Sequence, residues 1–178
     1  MTYSAHYHSP IGGIILACEG EGLTGLWLDG KRYHDSMPAD MEERADMPIL
    51  RQASQWLDRY FAKEKPGIGE LPLAPKGSGF RQAVWKLLCE IPYGSVTTYG
   101  ALADEIARQR GIQRMSAQAI GGAVGHNPIS IIIPCHRVVG ADGSLTGYGG
   151  GIQKKVELLT HEGVDMERFF VPEKGTAL

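Results

Sequence analysis

The chain is arranged around one segment, Ile131-Ile132-Ile133-Pro134-Cys135-His136-Arg137-Val138-Val139-Gly140. Its β-branched residues, bounded by turn formers, predict a short buried strand. Pro134 has no backbone N–H to donate, so we expect this strand to end there. Cys135 would then lie where a rigid element ends, which is a suitable position for a reactive atom that must be held still.

Two neighbours of this cysteine favour a thiolate. The next residue is His136, which can act as a base, and the following one is Arg137, which carries a positive charge. A nearby base or cation lowers the pKa of a cysteine from its free value near ~8.5. The alternative is a buried structural cysteine, and this segment alone leaves both interpretations open.

Length and composition limit the possible classes of protein. The chain has 178 residues, enough for one ordinary domain or two small ones, and it is 43% hydrophobic and 21% charged. No apolar stretch approaches the roughly 18 residues that cross a membrane, and the N-terminus lacks a signal-peptide pattern. Three cysteines without close spacing argue against a disulfide framework or a zinc cluster and favour a reducing compartment. We therefore expect a cytoplasmic protein with no metal and no membrane partner.

The charge is unevenly distributed, although the net charge is only −2. Residues 76–161 hold nine Lys or Arg and five Asp or Glu, whereas residues 1–75 hold seven and eleven. A basic middle section in an acidic chain is compatible with an anionic partner, although by itself it is a weak sign.

The pattern of apolar residues predicts two domains. In the first part we expect strands over residues 3–9, 13–18 and 23–28, joined as an antiparallel sheet, then a helix from Pro48. Residues 70–79 contain two prolines and two glycines and predict a linker. The chain would therefore divide into an α+β domain at 1–75 and a mainly helical domain at 76–178.

The second part predicts helices over residues 80–90, 100–110, 116–125 and 152–161. Two of them, joined across a turn that contains Gly111, indicate a helix-turn-helix. The helix 116–125 is unusual because alanine and glycine supply much of its surface. Small residues here indicate either tight packing against a neighbouring helix or close approach to a nucleic-acid backbone.

Several separated motifs carry a resemblance to a known family. They are Asn127-Pro128, Pro134-Cys135-His136-Arg137-Val138, Gly147-Tyr148-Gly149-Gly150-Gly151 and His161-Glu162-Gly163. In this order they closely resemble the methylated-DNA–protein-cysteine methyltransferases, over about residues 80–163. The resemblance implies an N-terminal ribonuclease-H-like α+β domain with an antiparallel sheet and a C-terminal winged-helix-like domain. It also implies a cofactor-free monomer that acts on double-stranded DNA, transferring alkyl groups from O6-alkylguanine, and from O4-methylthymine, to its own cysteine.

The resemblance assigns expected roles to individual residues. Cys135 is the nucleophile, His136 a base acting through a water molecule, and Glu162 the carboxylate that orients His136. Tyr99 donates toward the base and promotes its rotation out of the duplex. Lys155 is expected near the pocket, and Asn127 is expected to tie the helices to the active-site segment. The residues expected to contact DNA are Tyr99, Ala117, Gln118, Gly121, Arg114 and Arg137. The expected pocket wall consists of Val138, Tyr148, Gly149 and Gly150.

Simpler interpretations of three of these residues remain open from the sequence. Tyr99 could be a core residue at a helix start, Lys155 a solvated charge, and Glu162 a surface acid at the end of a helix. Two other functions also remain: a lesion-binding protein of the alkyltransferase-like kind, and an unrelated thiol hydrolase. The first kind lacks the cysteine, so Cys135 argues against it.

The chain departs from the family pattern at several positions. Gln118 stands where the family inserts an arginine into the gap left by the rotated base. Gly149 replaces a frequent serine, and Glu157 replaces a common tryptophan. The segment 108–114 is basic and longer than usual. These departures bear on affinity and on the range of alkyl groups more than on the type of reaction.

Overall fold

The computed structural model describes residues 1–29, 37–146, 148 and 151–172. Its N-terminal part is a sheet of four strands in the order β3-β2-β1-β4, with one helix against it. The elements are β1 (Thr2–Ser9), β2 (Gly12–Glu19), β3 (Gly22–Leu28), β4 (Met41–Glu43) and α1 (Pro48–Phe61). The first three strands are antiparallel, which confirms the predicted meander.

The fourth strand was not predicted from the sequence. Met41–Glu43 pairs in parallel with Thr2–Ser4. Three mostly polar and exposed residues give no apolar alternation from which a strand could be recognised. The strand extends the sheet at the β1 edge, whereas the β3 edge at the other side faces the C-terminal half of the chain.

The C-terminal part is mainly helical. It contains α2 (Gly79–Leu88), α3 (Tyr99–Arg110), α4 (Ala117–Gly125) and α5 (Ile152–His161), with the parallel two-residue strands β5 (Thr97–Thr98) and β6 (Val138–Val139). Ser78, Thr98 and Ser116 cap the first three helices through their hydroxyl oxygens, and Gly111 ends α3 at φ 65°. The contacts between α3 and α4 form the predicted helix-turn-helix. No helix among the described ranges is long and apolar enough to cross a membrane.

The predicted strand over Ile131–Ile133 is wrong. The segment turns: the Ile133 N–H donates to the Ile129 carbonyl at 3.1 Å, and Ile131 has φ 72°. A positive φ is unfavourable for a β-branched residue, so the surrounding packing must hold it. All three isoleucine side chains are buried. An apolar run looks the same in sequence whether it forms a buried strand or a buried turn.

The sheet of the N-terminal half supports this turn directly. At the β3 edge, the Leu26 N–H donates to the Pro128 carbonyl at 2.8 Å, and the Ser130 N–H donates to the Leu26 carbonyl at 3.2 Å. Strand β3 also forms backbone hydrogen bonds with residues 72–74 through Leu23. One hydrophobic core runs through both halves. The chain before Cys135 is therefore fixed to the sheet by backbone hydrogen bonds as well as by packing.

Candidate active site

Cys135 begins a short 3₁₀ turn, Cys135–Arg137, directly after Pro134. The Cys135 N–H donates to the Ile133 carbonyl at 2.8 Å, and the Arg137 N–H donates to the Pro134 carbonyl at 3.0 Å. The cysteine is buried, with 5% of its surface exposed. The thiol thus has a fixed position close to the protein surface.

Asn127 holds the turn from inside. Its side-chain amide donates to the Ile133 carbonyl at 2.8 Å, and its side-chain carbonyl accepts from the Ile129 N–H at 3.0 Å. The residue is buried and follows the end of α4 directly. Asn127 therefore links the helix-turn-helix to the segment that carries Cys135, as predicted for it.

Glu162 follows α5 and accepts hydrogen bonds from several parts of the chain. Its Oε2 accepts from Nε2 of His136 at 2.6 Å and from the Tyr60 hydroxyl at 2.6 Å. Arg137 donates to both carboxylate oxygens, at 2.8 and 3.1 Å, and the Gly94 N–H donates to Oε1 at 3.2 Å. The carboxylate is fully buried, which excludes the alternative of a surface acid.

The charges of this cluster follow from its contacts. Burial raises the pKa of Glu162, but the hydrogen bonds from His136 and Arg137, together with the positive charge of Arg137, outweigh burial and hold that pKa well below its usual range. Burial lowers the pKa of His136, the hydrogen bond and negative charge of Glu162 raise it, and the net shift is downward. Near pH 7 we therefore assign a carboxylate at Glu162 and a neutral imidazole that donates from Nε2. The buried Nδ1 of His136 has no hydrogen-bond partner in the described part of the chain, so its lone pair can accept a proton.

Lys155 of α5 lies on the other side of the cysteine. Its ammonium group donates to the Val138 carbonyl, and to the Thr146 carbonyl at 2.9 Å. The residue is fully buried, which excludes the alternative of a solvated charge. Burial lowers the pKa of Lys155 to about 8, and a negative charge on Cys135 opposes that shift. Because the attraction is mutual, a charged Lys155 stabilises the Cys135 thiolate.

Tyr99 and Tyr148 complete the surroundings of the sulfur. The Tyr99 hydroxyl donates to the Thr146 carbonyl at 2.9 Å, and its ring lies 5.9 Å from the Lys155 ammonium. Burial, followed by the negative charge of Cys135, raises the pKa of both tyrosines, so both hydroxyls stay protonated. Of the predicted pocket wall, Val138 and Tyr148 are buried here, whereas Gly149 and Gly150 lie outside the described residues.

The outer face of α4 is almost without large side chains. Ala117, Gln118, Ala119 and Gly122 are exposed, and a methyl group added at Gly122 would meet no atom within 4 Å. Gly121 faces the ring of Tyr99, with a distance of 4.0 Å from an added methyl group. The exposed small residues favour the second sequence interpretation, close approach of an external partner, over packing against a neighbouring helix.

The two arginines predicted to contact DNA occupy different environments. Arg114 is exposed and lines a surface groove of 580 Å³ between α3 and α4, together with Ala117. Arg137 is buried; besides Glu162, its guanidinium donates to the Ile91 carbonyl at 2.7 Å. The predicted DNA contact of Arg137 does not fit this position. Instead, the guanidinium of Arg137 neutralises the negative charge of Glu162.

Comparison with known proteins identifies the family. Residues 2–75 match the model of the 6-O-methylguanine DNA methyltransferase ribonuclease-like domain, and residues 79–164 match that of the 6-O-methylguanine DNA methyltransferase DNA binding domain. The chain belongs to the 6-O-methylguanine DNA methyltransferase family. The resemblance seen in the motifs around Cys135 is confirmed.

Individual members of the family are similar over nearly the whole chain. A methylated-DNA–protein-cysteine methyltransferase of Haemophilus influenzae is 37% identical, and the match covers 98% of this chain and 90% of that relative. The crystal structure of the Mycobacterium tuberculosis O6-methylguanine methyltransferase matches with a TM-score of 0.75 and 39% identity, over 98% and 97% of the two chains. The Mycobacterium tuberculosis OGT in complex with DNA matches with a TM-score of 0.73 and 40% identity, over 94% of each chain. These matches confirm the predicted α+β fold.

The structure brings together several of the residues expected at the site, and it adds the contacts of Tyr60 and Arg137 with Glu162. The side chains of His136 and Glu162 meet, and Tyr99 and Lys155 share the Thr146 carbonyl. Tyr60 lies on the apolar face of α1, a position that by itself indicates only a core residue. The available signal was its hydroxyl, since a buried tyrosine usually has a hydrogen-bond partner.

Proposed function

We propose that this chain repairs DNA by transferring an alkyl group from O6 of guanine to Sγ of Cys135, once per molecule. The observation that carries this proposal is the arrangement around the thiol. A neutral His136 with a free acceptor nitrogen is next to it in the chain, and the buried Lys155 ammonium stabilises its anion. A soft, strong nucleophile of this kind suits attack on a saturated carbon.

The steps of the reaction balance with these groups. The thiol proton passes to Nδ1 of His136 through a water molecule, as in the resembled family, while Glu162 stabilises the imidazolium. The sulfur then attacks the alkyl carbon, so that the S–C bond forms as the C–O6 bond breaks. The electron pair stays on the guanine, which takes up a proton. The Tyr99 hydroxyl, whose pKa is raised by burial, stays protonated. In the resembled family this tyrosine donates toward the base, and here the hydroxyl would turn from the Thr146 carbonyl to do so.

We assign the DNA interface to the exposed face of α4, together with Tyr99 and Arg114. The target oxygen is inaccessible in a stacked duplex, so the nucleotide must rotate out at a cost of a few kcal/mol. In the resembled family this helix enters the minor groove, where only small residues such as Ala117 and Gly121 leave room. The partner is double-stranded DNA with an alkylated guanine, bound by a monomer.

We also propose that the chain divides functionally at residues 75 and 76, with the DNA-binding and transfer groups in the second part. We propose a cytoplasmic location, because a nucleophilic thiol must stay reduced. Of the rival functions, a lesion-binding protein has no use for the thiol. A thiol hydrolase does not require the bare surface of α4.

The direct test is to locate the transferred group. After incubation with a duplex oligonucleotide that contains O6-methylguanine, peptide mass spectrometry should find one methyl group, on Cys135. Cys18 and Cys89 in the same digest serve as internal controls. A methyl group on either of these residues, or on none of the three, would reject the proposal.

Gln118 is expected to assist base rotation on duplex DNA. It is exposed on α4 and can donate to, or accept from, the cytosine that loses its partner. Loss of one neutral hydrogen bond predicts that Gln118→Ala slows transfer from duplex DNA about fivefold. Reaction with free O6-methylguanine should be unchanged, because no base has to be rotated. Single-turnover rates on the two substrates measure this difference.

A control and a reverse substitution sharpen this experiment. Gln109→Ala removes an exposed glutamine of α3 that binds Glu105, and it should leave both rates unchanged. Gln118→Arg restores the residue expected from the family and should speed transfer from duplex DNA. Equal losses on both substrates in Gln118→Ala would mean that Gln118 supports the fold instead.

A further inference from the structure

A tyrosine of the N-terminal half reaches the carboxylate of the active site. The Tyr60 hydroxyl, on α1, donates to Oε2 of Glu162 at 2.6 Å across a separation of 102 residues in sequence. The same oxygen accepts a hydrogen bond from Nε2 of His136, also at 2.6 Å. Tyr60 is 1% exposed, so solvent does not compete for this hydrogen bond.

Packing fixes the direction of the Tyr60 ring. Trp56 stacks on it with 5.7 Å between ring centroids and 9° between planes, and Phe61 packs edge-on at 5.0 Å. His161 lies 5.2 Å away on the C-terminal side, and its Nε2 lies 3.0 Å from the Tyr60 carbonyl. A ring held from several sides places its hydroxyl with little freedom, as a positioning group requires.

The hydroxyl remains a donor throughout the neutral pH range. Burial and the negative charge of Glu162 raise the pKa of Tyr60 far above its ordinary value. Tyr60 therefore does not exchange protons with the site. Its contribution is geometric and electrostatic: a constant third donor on Oε2, beside His136 and Arg137.

We infer that Tyr60 is a positioning residue for the His136–Glu162 pair, and that the N-terminal half thereby completes the active site. This inference rests on the proposed function. The hydrogen bond fixes the rotation of the carboxylate, and the carboxylate fixes the ring of His136. The backbone hydrogen bonds of β3 to Pro128 and Ser130 add a second link from the same half to the reactive segment.

In the described part of the chain, the other charged and titratable groups around the pair are Arg137 and Cys135 from the same turn, Lys155 from α5, Tyr148 from the segment before it, and Tyr93 and His161 from the adjoining segments. None of these is altered when the Tyr60 hydroxyl is removed. With one donor fewer, Oε2 becomes a stronger acceptor for His136 and stabilises the imidazolium. Protonation of His136 then occurs at higher pH, and a protonated ring cannot take the thiol proton.

Tyr60→Phe in the full chain tests the inference. The ring and its packing remain, and only the hydroxyl is lost. The single-turnover rate constant for methyl transfer from duplex DNA should fall roughly tenfold, the effect expected from losing one hydrogen bond to a charged group. The acid limb of its pH profile should move to higher pH. Tyr7→Phe is the matched control, because it removes another tyrosine–carboxylate hydrogen bond involving α1, to Asp58 at 2.7 Å, remote from Cys135.

A double-mutant cycle isolates the route of the effect. If Tyr60 acts through Glu162, then Tyr60→Phe introduced into Glu162→Gln should change the rate less than twofold. An unchanged rate in the single variant, or a lower rate with an unmoved acid limb, would overturn the inference. A full tenfold loss of rate when Tyr60→Phe is added to Glu162→Gln would also overturn the inference.

The outcomes for the wild-type chain separate this inference from the proposed function. Failure of the unmodified protein to accept a methyl group on Cys135 would reject both. A wild-type protein that reacts, combined with a Tyr60→Phe variant that reacts equally well at every pH, would reject only the role of Tyr60.

Discussion

Cys135→Ser is expected to abolish alkyl transfer while leaving DNA binding intact. A serine hydroxyl has a far higher pKa than a thiol, so His136 and Lys155 cannot convert it into an equivalent nucleophile. The loss should be on the order of 10⁴-fold or more, as for other nucleophile substitutions. Oxygen replaces sulfur in a buried turn that Asn127 holds, so the fold should persist. Transfer rates and DNA affinity, measured on the same preparation, check both parts.

The other two cysteines provide the controls. Cys18 is fully buried in β2, and Cys89 follows α2. Burial, followed by a neighbouring glutamate, raises the pKa of each, so both remain thiols near pH 7. Cys18→Ser and Cys89→Ser should therefore transfer at the wild-type rate. Transfer that persists in Cys135→Ser would refute the assignment of the nucleophile.

The contrast among the three cysteines shows what the sequence could predict. Cys135 was distinguished by its neighbours in the chain, because a base, a cation and a turn-forming proline are local features. The helix caps and the three antiparallel strands were also predictable, since each depends on residues close in sequence. Glu162 was placed beside His136 only through the family resemblance, because nothing local connects residues 26 positions apart.

The remaining errors have a common physical cause. The family resemblance placed Arg137 at the DNA surface, but a buried carboxylate requires a buried cation. The Ile131–Ile133 turn was predicted as a strand because a buried turn and a buried strand have the same apolar composition. The contact of Tyr60 with the site is not evident from the sequence, because its partner lies 102 residues away. In each case a contact distant in sequence determined the local structure.

Repair should stop at one alkyl group per molecule. Transfer produces a thioether at Cys135, which has no easy leaving group near neutral pH. Hydrolytic enzymes regenerate their nucleophile because water attacks the carbonyl of an acyl intermediate, and an S-alkyl cysteine has no such carbonyl. His136 and Glu162 can move a proton but cannot make the S–C bond labile. A titration of the protein with methylated duplex should therefore reach a plateau at one equivalent.

The same titration should lower the stability of the protein. The added alkyl group enters a tightly packed site, because only 5% of the surface of Cys135 is exposed. The turn before Cys135 already holds Ile131 at the unfavourable φ of 72°. Adding even one methyl group to a packed site typically costs 1–3 kcal/mol, which in a chain of this size lowers the melting temperature by roughly 5 °C.

Graded substrates distinguish this mechanism from general inactivation. Larger alkyl groups at guanine O6 should give a larger fall in melting temperature at the same plateau, because each added carbon must fit the same turn beside Asn127. Cys135→Ser, carried through the same titration and freed of DNA, should melt at its starting temperature. Turnover beyond one equivalent would contradict the thioether mechanism and favour a hydrolase. A plateau without a fall in melting temperature would show that the site already contains room for the product, so that the strain at Ile131 plays no part in accommodating the alkyl group.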